Sequence, residues 1–277
     1  MSQRLISLTS YFFKSVAASL AGILYLLLAL VFYFIFFDPR QRTPDFEYYV
    51  LVIGLFGAVL AFLVTLTVAA RANNAVYFPF LVRLPSRVEY LASSLISAFI
   101  FSALLQTLVA ALALMANGPD IPLSNLLIIL PLWTSVNLLF IALALHATDL
   151  VAAGWSRVYI FGILAILLYL QSLMGPLTEW LSGILARFSI FLFNLGVTGI
   201  STLIGDISTW LIDSGGGILS IFAGILFWPF KAIADAALTG YFNQLQALAP
   251  AILLLYATVL FLLAADFFAT KDLFLSE

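Results

Sequence analysis

The sequence has no cysteine, one histidine, three methionines and charged residues at only 9% of its 277 positions. Without cysteine, disulfides, thiolate metal sites and a cysteine nucleophile are excluded. One histidine and three methionines leave too few ligands for a haem or a typical transition-metal centre, so no cofactor is expected. The net charge of −2 offers no basic surface, and nucleic acid is not expected as a partner. The scarcity of charge decides the class. Soluble domains carry about 25% charged residues, whereas this chain is 64% hydrophobic with a mean hydropathy of +1.17. It reads as an all-α integral membrane protein.

Six runs meet the need for about 20 apolar residues to cross the hydrocarbon core. They cover about 16–37, 48–70, 90–116, 122–146, 158–174 and 248–268. None alternates polar with apolar residues, so strands are excluded, and each run must be helical to satisfy its backbone in lipid. The run Val16–Phe37 exceeds the roughly 7–15 residues of a signal-peptide core, so it reads as a retained first span. With both ends inside, the inner segments hold Arg4, Lys14, Arg71, Arg83, Arg87, Arg157 and Lys271, against Arg40, Arg42, Arg187 and Lys231 outside. The excess of basic residues on one side favours N-in and C-in. One transmembrane domain over 1–277 is the economical reading.

Residues 175–247 are too apolar for an ordinary loop. Ile200, Leu203, Ile204, Ile207, Trp210 and Leu211 recur at helical spacing, opposite Thr198, Ser201, Thr202, Asp206, Ser208 and Asp213. That pattern predicts an amphipathic helix lying in an interface or against a partner. The stretch Gly215–Lys231 is barely long enough to span; it could be re-entrant, or one of two extra crossings with Leu181–Leu195, which would give eight spans with the same end orientation. This outer segment is expected to hold amphipathic or re-entrant helices.

Few residues could carry chemistry. His146 and Asp149 share a helix face at i and i+3, a spacing open to a metal or an acid–base pair, but a polar helix end accounts for both. Asp266 sits roughly 24 Å along the last span from Pro250, near its end. Gln106, Asn137 and Gln171 fall within spans, where amides either fasten neighbouring helices or line a polar path; they are the candidate translocation-path residues. Trp133, Thr134 and Ser135 could face the same path. No G-x-x-x-x-G-K-[ST] occurs, so nucleotide is not bound through a P-loop.

The stretch "FLVRLPSRVEY" joins the second and third spans. Pro79 and Pro85 disfavour helix before them. Ser86 then fits an N-cap for the third span, with Glu89 placed to complete a capping box. Leu84-Pro85-Ser86-Arg87-Val88-Glu89 resembles the corresponding segment of the membrane subunits of ABC-2 type transporters. The six-span plan, an amphipathic N-terminal segment with Leu5, Leu8 and Phe12 on one face, and a helical outer segment before the last span extend the likeness in layout. The segment before Pro79 is more apolar than in that family, and the outer segment is longer.

The resemblance implies a permease that dimerises with a second copy or a paralogue and pairs with separate ATP-binding cassette ATPase subunits. It would sit in the cytoplasmic (inner or plasma) membrane and act as an exporter, not itself an enzyme. The loop after the second span would rest in a groove of the ATPase. Tyr77 and Phe80 would be apolar anchors, Arg83 and Arg87 charge partners, and Arg83, Pro85, Arg87 and Glu89 would transmit motion. Asp149–Arg157 and the N-terminal helix would add contacts. Arginines in such loops also orient the chain. The alternative expectation is a non-catalytic structural or docking subunit of a larger membrane complex, using the outer helices as its surface.

Overall fold

The computed structural model describes residues 2–37, 45–74, 86–116, 118–119, 121, 123–151, 155–210, 216–239 and 241–270, with the backbone alone at 2, 123–127, 155–157, 166–178 and 216–223. Among the described residues every regular element is a helix: α1 (Ser2–Ala17), α2 (Leu20–Phe36), α3 (Phe46–Ala72), α4 (Arg87–Met115), α5 (Leu123–His146), α6 (Trp155–Asn194), α7 (Thr198–Trp210), α8 (Gly216–Thr239) and α9 (Ala249–Thr270), the last preceded by a 3-10 turn at Gln246–Leu248. Four stretches are long and apolar enough to cross a membrane: α3, α4, Ile128–His146 of α5, and Gln246–Thr270. The bent pair α1–α2 makes a fifth if taken as one span. The protein is therefore a multi-pass, all-helical membrane protein.

Residues 1–157 and 229–277 form one compact unit and residues 158–228 a second. In the first unit α3 packs against both α4 and α5, α9 packs against α5, and α1 crosses onto α4. The pattern along α3 explains its central place. Val50, Ile53, Leu60, Ala61, Val64 and Val68 recur at helical spacing and are buried, whereas Leu51, Leu55 and Val59 point outward. In lipid such outward apolar residues carry no penalty, because the tails are as apolar as they are.

The first apolar run forms α2, with an elbow at its start. α1 and α2 meet at 70° rather than continuing as one rod. α1 is amphipathic as its sequence predicts: Phe12 is buried, Leu5 and Leu8 are half-buried, and Arg4 and Lys14 are exposed. The elbow is fixed by Arg71, in the last turn of α3, which donates to the Ser15 carbonyl and to Ser19 Oγ. The Ser15 carbonyl lies in the last turn of α1, where no intrahelical donor is available, and a cation there also meets the negative end of the helix dipole. On the far side of the elbow, Tyr25 OH binds the Leu63 carbonyl at 2.9 Å and Thr67 Oγ1 at 2.6 Å, fastening α2 to α3. Gly22 closes the bend: a Cβ there would stand 2.5 Å from the Val16 carbonyl oxygen.

In the second unit, α6 differs from expectation. The sequence places the end of a span near Met174, but the helix continues through Gly175 and Pro176 to Asn194, 40 residues in all. At 1.5 Å per residue it is about 60 Å long, roughly twice the hydrocarbon thickness. The Val158–Met174 run is thus the first part of a longer helix.

Two glycine substitutions test the elbow. Gly22→Val should lower the unfolding free energy by about 1–3 kcal/mol through overpacking, read from denaturant titration in bicelles. Gly162→Ala, with open space at the new Cβ, should be neutral or stabilising by up to about 1 kcal/mol. Equal costs for the two variants would remove the close approach at Gly22 from the account.

Candidate functional site

The candidate site begins where α4 begins. Ser86 is extended (φ −144°, ψ 127°) and its Oγ accepts from the Val88 N–H at 3.2 Å. The N-cap expected from the sequence is present. The Glu89 half of the capping box is not. Glu89 is buried and its Oε2 has no hydrogen-bond partner. Ser86 Oγ takes the second amide of the helix instead of the third, so the reciprocal geometry of the box is not set up.

The next residues tie α4 to three other helices. Arg87 Nη1 donates to the Ala269 carbonyl at 3.2 Å, in the last turn of α9. Tyr90 OH donates to the Ala72 carbonyl at 2.8 Å, the last residue of α3. The Tyr90 ring meets Phe12 of α1 edge-on at 5.1 Å and stacks on Phe268 of α9 at 6.3 Å. Tyr90 is almost completely buried. A buried tyrosine contributes both its area and a satisfied hydroxyl, so one side chain joins α1, α3, α4 and α9.

Of the loop residues singled out in the sequence, Tyr77, Phe80, Arg83 and Pro85 lie outside the described residues, and Arg87 and Glu89 are the two that can be placed. The end of α3 and the chain after α5 enclose a cleft of about 290 Å³, lined by residues that include Asn73, Thr148 and Asp149. Asp149 is exposed. His146 is fully buried and does not share that environment. Its Nε2 lies 2.8 Å from the Leu260 carbonyl and its ring meets Phe267 edge-on. A carbonyl only accepts, so Nε2 carries the proton and donates. Among the described residues no three His, Cys, Asp or Glu side chains gather as a metal site. Asp266 is exposed, one turn from the end of α9.

Deeper in the bundle, two of the three path candidates meet. Asn137 Nδ2 donates to Gln106 Oε1 at 2.6 Å, and Gln106 Nε2 donates to the Ile53 carbonyl at 3.1 Å. Both amides are buried. They face one another and the α3 backbone, an arrangement that fastens α3, α4 and α5. Gln171 lies in the part of α6 described by backbone alone, so nothing places its side chain with them. Trp133 Nε1 reaches the Val50 carbonyl at 3.1 Å, and Tyr49 OH reaches the Ala110 carbonyl at 3.1 Å. A cleft of about 210 Å³ beside Trp133, between α3, α5 and the end of α8, is lined by apolar side chains such as Leu55, Phe140 and Ile233.

Glycines explain how side chains reach the α3 backbone. Gln106 binds the carbonyl four residues before Gly57, and Trp133 the one four residues before Gly54. A Cβ at Gly57 would overlap the Gln106 amide, and one at Gly54 would stand 3.1 Å from Trp133 Nε1. Sequence reasoning singles out Gln106 and Asn137 but gives Arg71 only an orienting role and Tyr90 none. The Gly54-x-x-Gly57 spacing inside an apolar run is the available signal for the α3 contact, since small residues in spans mark close helix approach.

Two variants test this cluster. Gly57→Ala should cost about 1–3 kcal/mol by overpacking, and the Gly57→Ala/Gln106→Ala double variant should cost no more than Gln106→Ala alone, because the added methyl then occupies vacated space. Strict additivity of the two single costs in bicelle unfolding would contradict the contact. At the end of the bundle, Tyr90→Phe should lose about 0.5–1.5 kcal/mol and Tyr90→Ala about 3–5 kcal/mol.

Compared with protein-family models, curated proteins and solved structures, the chain matches none of them.

Proposed function

We propose that the chain is the permease subunit of an ABC-2 type transporter, with six spans and both ends in the cytoplasm. It exports a substrate across the cytoplasmic membrane as a dimer driven by separate ATP-binding cassette subunits. The observation that carries this reading is the attachment of residues 86–90. They follow directly on the segment 75–85, and Arg87 and Tyr90 fasten to α1, α3 and α9. A force applied to that segment reaches four helices within five residues of chain. Such a junction suits a subunit that receives motion from outside itself, and the sequence holds no P-loop motif of its own.

The residues divide the work by chemistry. Tyr77, Phe80 and Arg83 supply the apolar and cationic contacts to the ATPase. Arg87 holds α9 through a charge-assisted bond to a helix-end carbonyl. Tyr90 conveys displacement to α1 and α3. A second reading, a structural subunit of a larger complex, draws on the many outward apolar residues of the second unit, such as Phe188, Phe191 and Leu203.

Co-purification separates the two. An affinity-tagged chain solubilised from its native membrane should bring down an ATPase with a P-loop motif; capture of partners without one would favour the structural reading. Within the complex, Arg87→Glu should spare assembly and ATP hydrolysis yet abolish export. Export at the parental rate would remove Arg87 from the coupling path.

A further inference from the structure

We infer that residues 180–210 form a two-helix paddle lying in the membrane–water interface, with one face bound to lipid and the other to water. The behaviour of this hairpin does not depend on the transporter reading.

The end of α6 and the whole of α7 run antiparallel. α6 stops at Gly196, whose φ of +81° is open to glycine without strain. Gly196 N–H binds the Phe193 carbonyl and Val197 N–H the Leu192 carbonyl, the paired bonds of a Schellman stop. The two arms then close on serines. Ser189 Oγ donates to the Ser201 carbonyl at 2.8 Å, Ser201 Oγ to the Ser189 carbonyl at 2.9 Å, and Ser208 Oγ to the Ser182 carbonyl at 2.9 Å. The serines recur seven residues apart on each arm, so the same face of each helix meets the other along the seam.

A water-soluble hairpin puts its large apolar residues in such a seam and polar ones outside. Here small hydroxyls fill the seam and the large side chains are turned out. Ile184, Phe188, Phe191, Ile200, Leu203 and Ile207 are all exposed. In an antiparallel pair, residues at equal angles from the seam share a side. At 100° per residue these six fall on one side of the hairpin. Arg187, Thr202, Asp206 and Thr209 are also exposed and fall on the other, with Ile190 a large apolar residue among them.

That division selects the interface from three environments. In water, the apolar side would leave six large residues exposed, against the hydrophobic effect. Crossing the membrane fails on length: α7 has 13 residues, about 20 Å against the roughly 30 Å of hydrocarbon. Immersion fails on charge, since Arg187 and Asp206 would be charged side chains without partners in hydrocarbon. An interface satisfies both sides at once. Trp180 and Trp210, exposed at the open end of the hairpin, are residue types suited to that depth.

The absence of cysteine makes the test direct. Single replacements Phe188→Cys, Phe191→Cys, Leu203→Cys and Ile207→Cys, and Arg187→Cys, Thr202→Cys, Asp206→Cys and Thr209→Cys, are spin-labelled in the full chain reconstituted in phosphatidylcholine vesicles. Collision rates with oxygen and with a water-soluble nickel chelate are then measured. The oxygen-to-nickel ratio should be several-fold higher at each of the first four sites than at each of the second four. Nickel excluded from both sets would place the hairpin within hydrocarbon and overturn the inference. Nickel reaching both sets would place it in water and overturn it equally. Low oxygen and low nickel at the first four sites would mean that protein, such as a second copy, covers that face in place of lipid. With four sites on each side, loss of one variant to misfolding leaves the alternation readable.

Discussion

A helix that ends near hydrocarbon leaves its last carbonyls without donors, and the first unit of this protein is organised around supplying them. Three helix C-termini meet at one end. The Ser15 carbonyl of α1 is taken by Arg71 of α3, the Ala72 carbonyl of α3 by Tyr90 of α4, and the Ala269 carbonyl of α9 by Arg87 of α4. Each donor comes from a different helix than its acceptor. Capping and tertiary attachment are therefore the same bonds, and α4 holds two of the three. Two of the donors are cations placed at the negative ends of helix dipoles, where charge is favoured.

The middle of the bundle solves a related problem by other means. There the carbonyls of α3 already accept within the helix, and additional donors reach them only where a missing Cβ opens the backbone. Gly54 and Gly57 provide those openings for Trp133 and Gln106. Such intramembrane bonds average about 0.6 kcal/mol, and at most about 1.7 kcal/mol, in measured cycles. They fix register between α3, α4 and α5 more than they supply stability.

Much of this is legible in the sequence alone. Composition dictates helices in lipid, the Ser86 cap follows from its place before an apolar run, and the amides at 106 and 137 stand out as polar residues inside spans. What the sequence hides is partnership across distance. Arg71 looks like any inner-side arginine until the Ser15 carbonyl is found beside it. Glu89 fits the capping-box spacing, yet the Ser86 hydroxyl chooses the Val88 amide and the carboxylate turns inward. The run ending near Met174 resembles a span of ordinary length, whereas the helix goes on to Asn194. In α7 the polar residues read as a single face. The structure divides them, with Ser201 and Ser208 facing α6 while Thr202 and Asp206 face outward. That split exists only once an antiparallel partner is present, so no single-helix pattern can contain it.

The arginines of this chain also change meaning. In a protein with 11 basic residues, those near one end of the bundle suggest topology first. Arg71 and Arg87 have structural work as well, because each completes the hydrogen bonding of another helix. A charge that orients the chain during insertion can afterwards cap a helix end. The same coincidence gives the start of α4 its mechanical character. Arg87 and Tyr90, which hold α9 and α3 in place, stand within the first turn of that helix. A displacement of its N-terminus therefore acts on the bundle through bonds that already stabilise it.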